Sequence, residues 1–286
     1  MNRRQLAQRA LAAALVSITA LSRAAGDKDR SMRRIFITGS TDGLGRAAAT
    51  TLIDAGHQVV LHARSKQRAE TLKDLAPRAA AVVTGDLASD AQTRDLADQV
   101  NRIGRMDAII HNAGIFREGA RGQTPEGHAK VLAVNVLAPY LLTGLITRPD
   151  RLIYLSSSMH FGGEGPLRDI DWKERSWDTF RAYSESKLYI TAFAFAVARH
   201  WPEVRSNALD PGWVPTRMGG AGAPDDLEQG HLTQTWLATS DEPAAQVSGG
   251  YWHHREQRKP AAQTLDPRFQ DELVGELARL TGYTFL

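Results

Sequence analysis

Cysteine is absent from the 286 residues. That excludes disulfides, thiolate nucleophiles and cysteine-ligated metal or iron–sulfur centres, although it does not fix a compartment. Long apolar runs are also missing. The longest, Ala10 to Leu21, falls well short of the roughly 20 residues that a spanning helix needs, so no stable membrane span is expected. Nor is there a basic stripe along the body. Residues 1–34 hold eight basic and two acidic side chains, a net +6 against +3 for the whole chain, which leaves −3 for the remainder. A slightly acidic body argues against a nucleic-acid partner.

The basic amino-terminal segment has the features of a targeting sequence. Arg3-Arg4 precede the alanine-rich apolar run, and Ser22-Arg23-Ala24 suits a small-x-small cleavage site. Two readings stand. One is a twin-arginine export signal; the other is an extension ahead of a start at Met32, which goes with a cytoplasmic protein. Residues 1–32 are therefore set apart from a body at 33–286.

In that body short β-rich runs alternate with helical patterns. Strands are expected at Arg34–Thr38, Gln58–Leu61, Ala80–Thr84, Asp107–His111, Arg151–Ser156, Arg205–Leu209 and Gly250–His253. Several are near-continuous apolar runs, as in strands buried on both faces of a parallel sheet. Helices are expected at Leu44–Ala55, Lys66–Leu75, Ala91–Ile103, Glu126–Ile146, Arg181–His200 and Pro267–Leu280. The fold class is α/β: one Rossmann-type, doubly wound parallel sheet of about seven strands with helices on both faces. The glycine-rich stretch Gly219–Pro224 sits inside the pattern and does not divide two domains. The segment after Pro211-Gly212 reads as irregular.

The first strand runs into Thr38-Gly39-Ser40-Thr41-Asp42-Gly43-Leu44-Gly45, and a helix follows. Glycines let a backbone turn tightly against a pyrophosphate, and a helix N-terminus adds free N–H groups and a positive dipole end. The spacing is G-x-x-x-G-x-G, which differs from the commoner dinucleotide fingerprint and alone carries little weight. At the end of the second strand, His62-Ala63-Arg64-Ser65 has no acid to hold a ribose 2′-hydroxyl. Arg64, with Arg46 as a helper, favours a 2′-phosphate instead, hence NADP ahead of NAD.

Farther on, Tyr183 and Lys187 lie four apart at the start of a long helix, on one face. A free tyrosine has a pKa near ~10, and a close ammonium is expected to bring it toward neutrality for general acid/base work. Tyr-x-x-x-Lys alone is common on helix surfaces. A metal site at His253-His254 is not expected, because neighbours on a strand point to opposite faces and no third ligand is suggested.

Taken in order, the glycine loop, Asn112-Ala113-Gly114, Ser156-Ser157-Ser158 and Tyr183/Lys187 closely resemble the short-chain dehydrogenase/reductase family, from about Arg33 onward. The resemblance implies an NADP(H)-dependent enzyme that interconverts a carbonyl and an alcohol. Tyr183 would be its acid/base, with Lys187, Ser157 and Asn135 completing the catalytic set. It implies cofactor contacts from the loop Thr38–Gly45, from Asp86-Leu87, from Asn112, Ala113 and Gly114, from Tyr183 and Lys187, and from Pro211, Gly212, Val214 and Thr216. Ser156 and Ser158 are fallbacks for the serine.

Ser157 and Tyr183 are 26 positions apart, about twice the family's usual interval, which resembles the retinol-dehydrogenase-like and carbonyl-reductase branch. The insert, Met159 to Phe180, includes Trp172 and Trp177, which either line a cleft or pack on the body. The expected partner is a small apolar carbonyl or alcohol; His231, Trp236 and Trp213 are candidates for facing it. Assembly is open between homo-oligomer and monomer. The nucleotide-sugar epimerases share Tyr-x-x-x-Lys but space their glycines differently. A catalytically silent NADP sensor on the same fold is the alternative, since fold does not fix function.

Overall fold

A computed structural model describes residues 32–116 and 119–286. The targeting-like segment up to Ser31 lies outside the described residues. Arg34–Leu286 forms one compact unit.

The strands are β1 Arg34–Ile37, β2 Gln58–Ala63, β3 Ala81–Thr84, β4 Ala108–His111, β5 Arg151–Leu155, β6 Arg205–Asp210, β7 Tyr251–His253 and β8 Glu256–Arg258. They form one sheet in the order β3-β2-β1-β4-β5-β6-β7-β8. The pairs from β3 to β7 are parallel; β8 pairs antiparallel with β7. The seven expected strands are present within a residue or two. The eighth is an exposed edge hairpin after Tyr251–His253, turned by His254 and Arg255 at positive φ.

The main helices are α1 Gly43–Asp54, α2 Asp90–Ile103, α3 (the consecutive segments Lys130–Leu132, Ala133–Leu137 and Ala138–Leu145), α4 Thr179–His200, α5 Leu227–Thr239 and α6 Pro267–Thr281. In β1 the side chains alternate between faces. Ile35 and Ile37 join one core with α1 and α5, while Phe36 joins the other with α2, α3, α4 and α6. That is the doubly wound arrangement. Three expectations need correction. Lys66–Leu75 is helical only at Lys66–Ala69 before a 3-10 turn at Glu70–Leu72. Helix α3 starts at Lys130, after a turn that closes Thr124 against His128. The stretch after Pro211-Gly212 is not wholly irregular, because α5 forms there, capped by Asp226.

Beside β1 the chain crosses to β2 on one side and β4 on the other. Ligands of such sheets bind at this switch point, outside the carboxyl ends of the strands. Here β1 ends in the glycine loop, with Gly39 and Gly43 at φ 69° and 51°. Asp42 caps α1 by accepting the Gly43 N–H at 2.8 Å. Gly45, in the first turn of α1, has a different reason to be glycine: a Cβ there would fall on the Asn112 carboxamide and the Gly39 carbonyl oxygen.

Glycine-to-alanine changes therefore separate two effects. In an exposed helix interior alanine gains up to about 1 kcal/mol, and Gly275 in α6 has open space around its Cα. Gly275→Ala is expected to raise the unfolding midpoint. Gly45→Ala is expected to lose roughly 1–3 kcal/mol through overpacking. Equilibrium denaturation of both variants checks the contrast; a stabilised Gly45→Ala would contradict the close packing.

Candidate active site

Strand ends carry the site. Asn112, just past β4, donates from Nδ2 to the Thr38 carbonyl at 2.9 Å and to that of Gly39 at 3.3 Å. Thr38 Oγ1 accepts the Ala113 N–H at 2.9 Å. These bonds hold the glycine loop against β4. A residue not singled out as a site residue holds it from the other side: His62 on β2, which is 2% exposed. Its Nδ1 accepts the Gly39 N–H at 2.9 Å, so Nε2 carries the hydrogen and donates to the Gly85 carbonyl at 2.8 Å. Burial pushes its pKa down to about 4, so the ring stays neutral and keeps that acceptor.

The loop opens on a cleft of about 630 Å³. Its lining includes Gly39, Thr41, Asp42, Gly43 and Leu44, then Arg64, Asp86 and Leu87 on the β2–β3 side. Asn112, Ala113 and Gly114 follow, with Tyr183, Lys187, Pro211 and Thr216 at the far end. The other expected contacts stand behind this wall. Ser40 is buried with Oγ on the Ile37 carbonyl at 2.6 Å, and Val214 is buried under the loop. Gly212, at φ 84°, donates its N–H to Asp210 at 3.0 Å.

Charge at the β2 end differs from expectation in one respect. Arg64 is exposed and lines the cleft. Arg46 is not its helper, because it is ion-paired with Asp74 at 2.6 Å and bonded to the Thr71 carbonyl. Arg68 takes that place: it lines the same cleft and donates to Thr41 Oγ1 at 3.3 Å. Four positions after Arg64, it gave no signal in the sequence beyond its charge.

At the far end Tyr183 and Lys187 occupy one face of α4, as their spacing predicts. Tyr183 is 7% exposed, and its hydroxyl lies 4.0 Å from the sulfur of Met218. Ser157 Oγ accepts the Met159 N–H at 3.2 Å, and the same hydroxyl acts on the Tyr183 phenol. Ser156 lines the cleft, but its hydroxyl is bonded to Thr191 Oγ1 at 2.6 Å, and Ser158 is exposed. His160 fixes the Ser157 backbone. Its Nε2 accepts the Ala261 N–H at 3.0 Å, so Nδ1 donates to the Ser157 carbonyl at 2.7 Å.

Burial, more than the lysine, controls the tyrosine. It pushes the Tyr183 phenol well up; the Ser157 hydrogen bond opposes this and the Asp210 carboxylate adds to it. The expected lowering by Lys187 is therefore not found. The ammonium is 5.4 Å from the tyrosine ring centroid and donates to the Leu155 carbonyl at 2.8 Å. Lys187 is itself buried, which brings its pKa down to about 8 against the pull of Asp210.

Asn135 lies in a π-helical turn, Ala133–Leu137. Its side chain ties the loop after β4 to α4: Oδ1 accepts the Ile115 N–H at 2.9 Å, and Nδ2 donates to Ser186 Oγ at 3.0 Å. Four residues on, Pro139 has no N–H to give back to the Asn135 carbonyl, a defect that favours such a turn.

Of the aromatic candidates, Trp236 and His231 are buried in α5 and bond Glu242 and Thr51, away from the cleft. Trp213 is 56% exposed, with its indole N–H on the Gly219 carbonyl. Trp172 and Trp177 belong to one apolar cluster with Tyr183 and Phe116. Rings that sequence reasoning missed crowd the tyrosine: Phe116 is 4.3 Å from Tyr183 and 5.2 Å from Phe180, centroid to centroid. The stacked pair His253 and His254 belongs to no metal-holding cluster among the described residues.

The glycine loop thus lies at the switch point of the sheet, at one end of a cleft that has Tyr183 and Lys187 at the other. Residues 39–245 match a family model described as enoyl-(acyl carrier protein) reductase. The chain is 41% identical over 255 residues to the short-chain dehydrogenase chyC of Penicillium rubens, covering 88% of this chain and 98% of that protein. Identity to human retinol dehydrogenase 13 is 29%, over 87% of this chain and 85% of the relative. A solved structure of an uncharacterised Mycobacterium paratuberculosis protein superposes with a TM-score of 0.77 at 25% identity, covering 90% of this chain and 96% of the other. The chain belongs to the short-chain dehydrogenase/reductase family and is an oxidoreductase. None of the described helices is long and apolar enough to cross a membrane.

The buried lysine should cost stability. With a folded pKa near 8 against 10.5, the unfolded chain holds the extra proton between those values. Stability therefore rises with pH across that window, and below it the cost is of order 3 kcal/mol. Lys187→Met is expected to melt no lower than the parent at pH 7, with an advantage that shrinks as pH rises from 8 toward 10.5. Thermal melts at several pH values test this; an advantage that grows with pH would contradict the burial argument.

Proposed function

We propose that this protein interconverts a carbonyl and an alcohol using NADP(H), with Tyr183 as proton donor and acceptor. The observation that carries the proposal is the convergence of Tyr183 and Lys187, with Ser157 acting on the phenol, at one end of a cleft whose other end is a glycine-lined helix N-terminus. The cleft fits a dinucleotide. Gly39 and Gly43 keep the loop free of Cβ atoms where a pyrophosphate would approach, and α1 offers its N-terminal N–H groups. Arg64 and Arg68 would hold a ribose 2′-phosphate.

When bound, the nicotinamide supplies or accepts the hydride. Ser157 then holds the substrate oxygen by a hydrogen bond. Tyr183, kept protonated by its burial, gives its proton to that oxygen in reduction and takes it back in oxidation. Lys187 places a cation beside the phenol, and the Asn135 carbonyl, given no N–H by Pro139, accepts from a water that returns the proton. Phe116, Phe180 and Met218 around the phenol favour an apolar substrate, consistent with a relative named a retinol dehydrogenase. No observation favours a silent sensor.

The test is NADPH oxidation, followed by absorbance, against a panel of apolar aldehydes and ketones. Turnover is expected in the parent and a loss of at least about 100-fold in Tyr183→Phe, with NADPH still bound. Tight binding without turnover across the panel would favour the sensor instead. For the phosphate clamp, Arg64→Ala/Arg68→Ala is expected to weaken NADPH by at least about tenfold while sparing NADH. An unchanged ratio of the two Michaelis constants would count against it.

A further inference from the structure

The insert between Ser157 and Tyr183 carries a charged cluster that the mechanism above does not use. Asp169, 8% exposed, accepts the backbone N–H groups of Lys173 at 2.7 Å and Arg175 at 3.0 Å. Burial opposes its charge, but those donors, the Glu174 N–H and the Arg175 guanidinium hold its carboxyl below the usual carboxylate range. Arg175 then reaches out of the insert to Glu185 with two hydrogen bonds, at 2.8 and 2.9 Å. It also bonds back to the Asp169 carbonyl at 2.9 Å. Its guanidinium lies 3.8 Å from the centroid of the Trp172 ring.

Glu185 is 1% exposed and stands on α4 between Tyr183 and Lys187. Two positions along a helix is more than half a turn, so Glu185 faces the insert while Tyr183 and Lys187 face the cleft. Arg175 thus grips the catalytic turn from behind. Trp172, at φ 53°, is strained for a side chain of that size, and it packs with Val131, Ala182 and Tyr183 itself. One guanidinium therefore holds both the helix that carries the tyrosine and the indole of the apolar cluster that includes Tyr183.

We propose that Arg175 is a positioning residue. By binding Glu185 and Trp172 at once it docks the insert on α4 and sets where the Tyr183 hydroxyl meets the substrate. The inference rests on the reductase reading. A purely structural role predicts something different, because replacing a buried ion pair by apolar side chains of similar volume often leaves stability unchanged or improved.

The deciding variant is Arg175→Met/Glu185→Leu, which removes both charges together. It is expected to melt like the parent and to bind NADPH with a Kd within about twofold, while kcat falls about 10- to 100-fold, as for a displaced reacting group. Parent-like kcat in that folded variant would overturn the proposal. Should the double variant not fold, Arg175→Lys decides the question: it keeps the charge but loses the two-point fork and the stacking. There kcat is expected to fall several-fold with the melting temperature retained, and an unchanged kcat would overturn the proposal. A parent inactive on every carbonyl would overturn the reductase reading and this inference with it; an active parent with equally active variants would overturn this inference alone.

Discussion

The contact between Asn112 and the glycine loop is the constraint on which the cleft depends. The Asn112 carboxamide bonds the carbonyls of Thr38 and Gly39 and lies where a side chain on Gly45 would be. The start of α1 can therefore sit directly against the end of β4. That proximity leaves the helix N-terminus open toward the switch point, and His62 secures the far side of the loop through the Gly39 N–H. Behind Gly114, a Cβ would be 3.3 Å from Asn135 and 3.5 Å from Lys187. The same edge of β4 thus separates the phosphate end of the cleft from its acid/base end.

Much of this was legible in the sequence, for physical reasons. β1, β4 and β5 showed as the largely apolar runs that strands buried on both faces tend to be, and all seven parallel strands lie within a residue or two of their expected places. The glycine loop showed because its backbone demands glycine. Tyr183 and Lys187 showed because their helical spacing came in order after the glycine loop, Asn112-Ala113-Gly114, Asn135 and the serine run; the spacing alone is common on helix surfaces. Helix α5 did not show, since its buried residues include Gly230, Thr233, Gln234 and Thr235 and give little apolar periodicity. Strand β8 is exposed along its whole length and has no buried face to read. Arg68 and the Arg175–Glu185 pair were hidden for another reason: their roles depend on which side chains meet in space. His62 looked like the end of a strand, and only the paired bonds of its two ring nitrogens reveal a latch.

The electrostatics run counter to a simple picture of lysine activating tyrosine. Both groups are buried, and burial disfavours charge on each. The phenol is pushed up and the ammonium down, so their ordinary order, lysine slightly above tyrosine, is inverted by environment rather than by mutual attraction. A protonated phenol at neutral pH suits proton donation to a substrate oxygen. His62 and His160 follow the same rule. Each is buried and neutral, with a tautomer set by a backbone N–H that must be accepted, and each uses its other nitrogen to hold a backbone carbonyl near the site.

The switch point also has a cost in chain entropy. Arg34 at the start of β1 meets Asp107 beside β4 across 73 residues, whereas β2 returns to β1 across only 24. Loop closure grows more costly with the length enclosed, and pairings distant in sequence slow folding. The half formed by β1 to β3 can assemble from nearby segments, but the seam between β1 and β4 must wait for a distant strand. Any ligand that bridges the seam binds only the joined halves, and so adds its binding energy to the native state alone. The place where this fold is entropically hardest to close is therefore the place where occupancy would stabilise it.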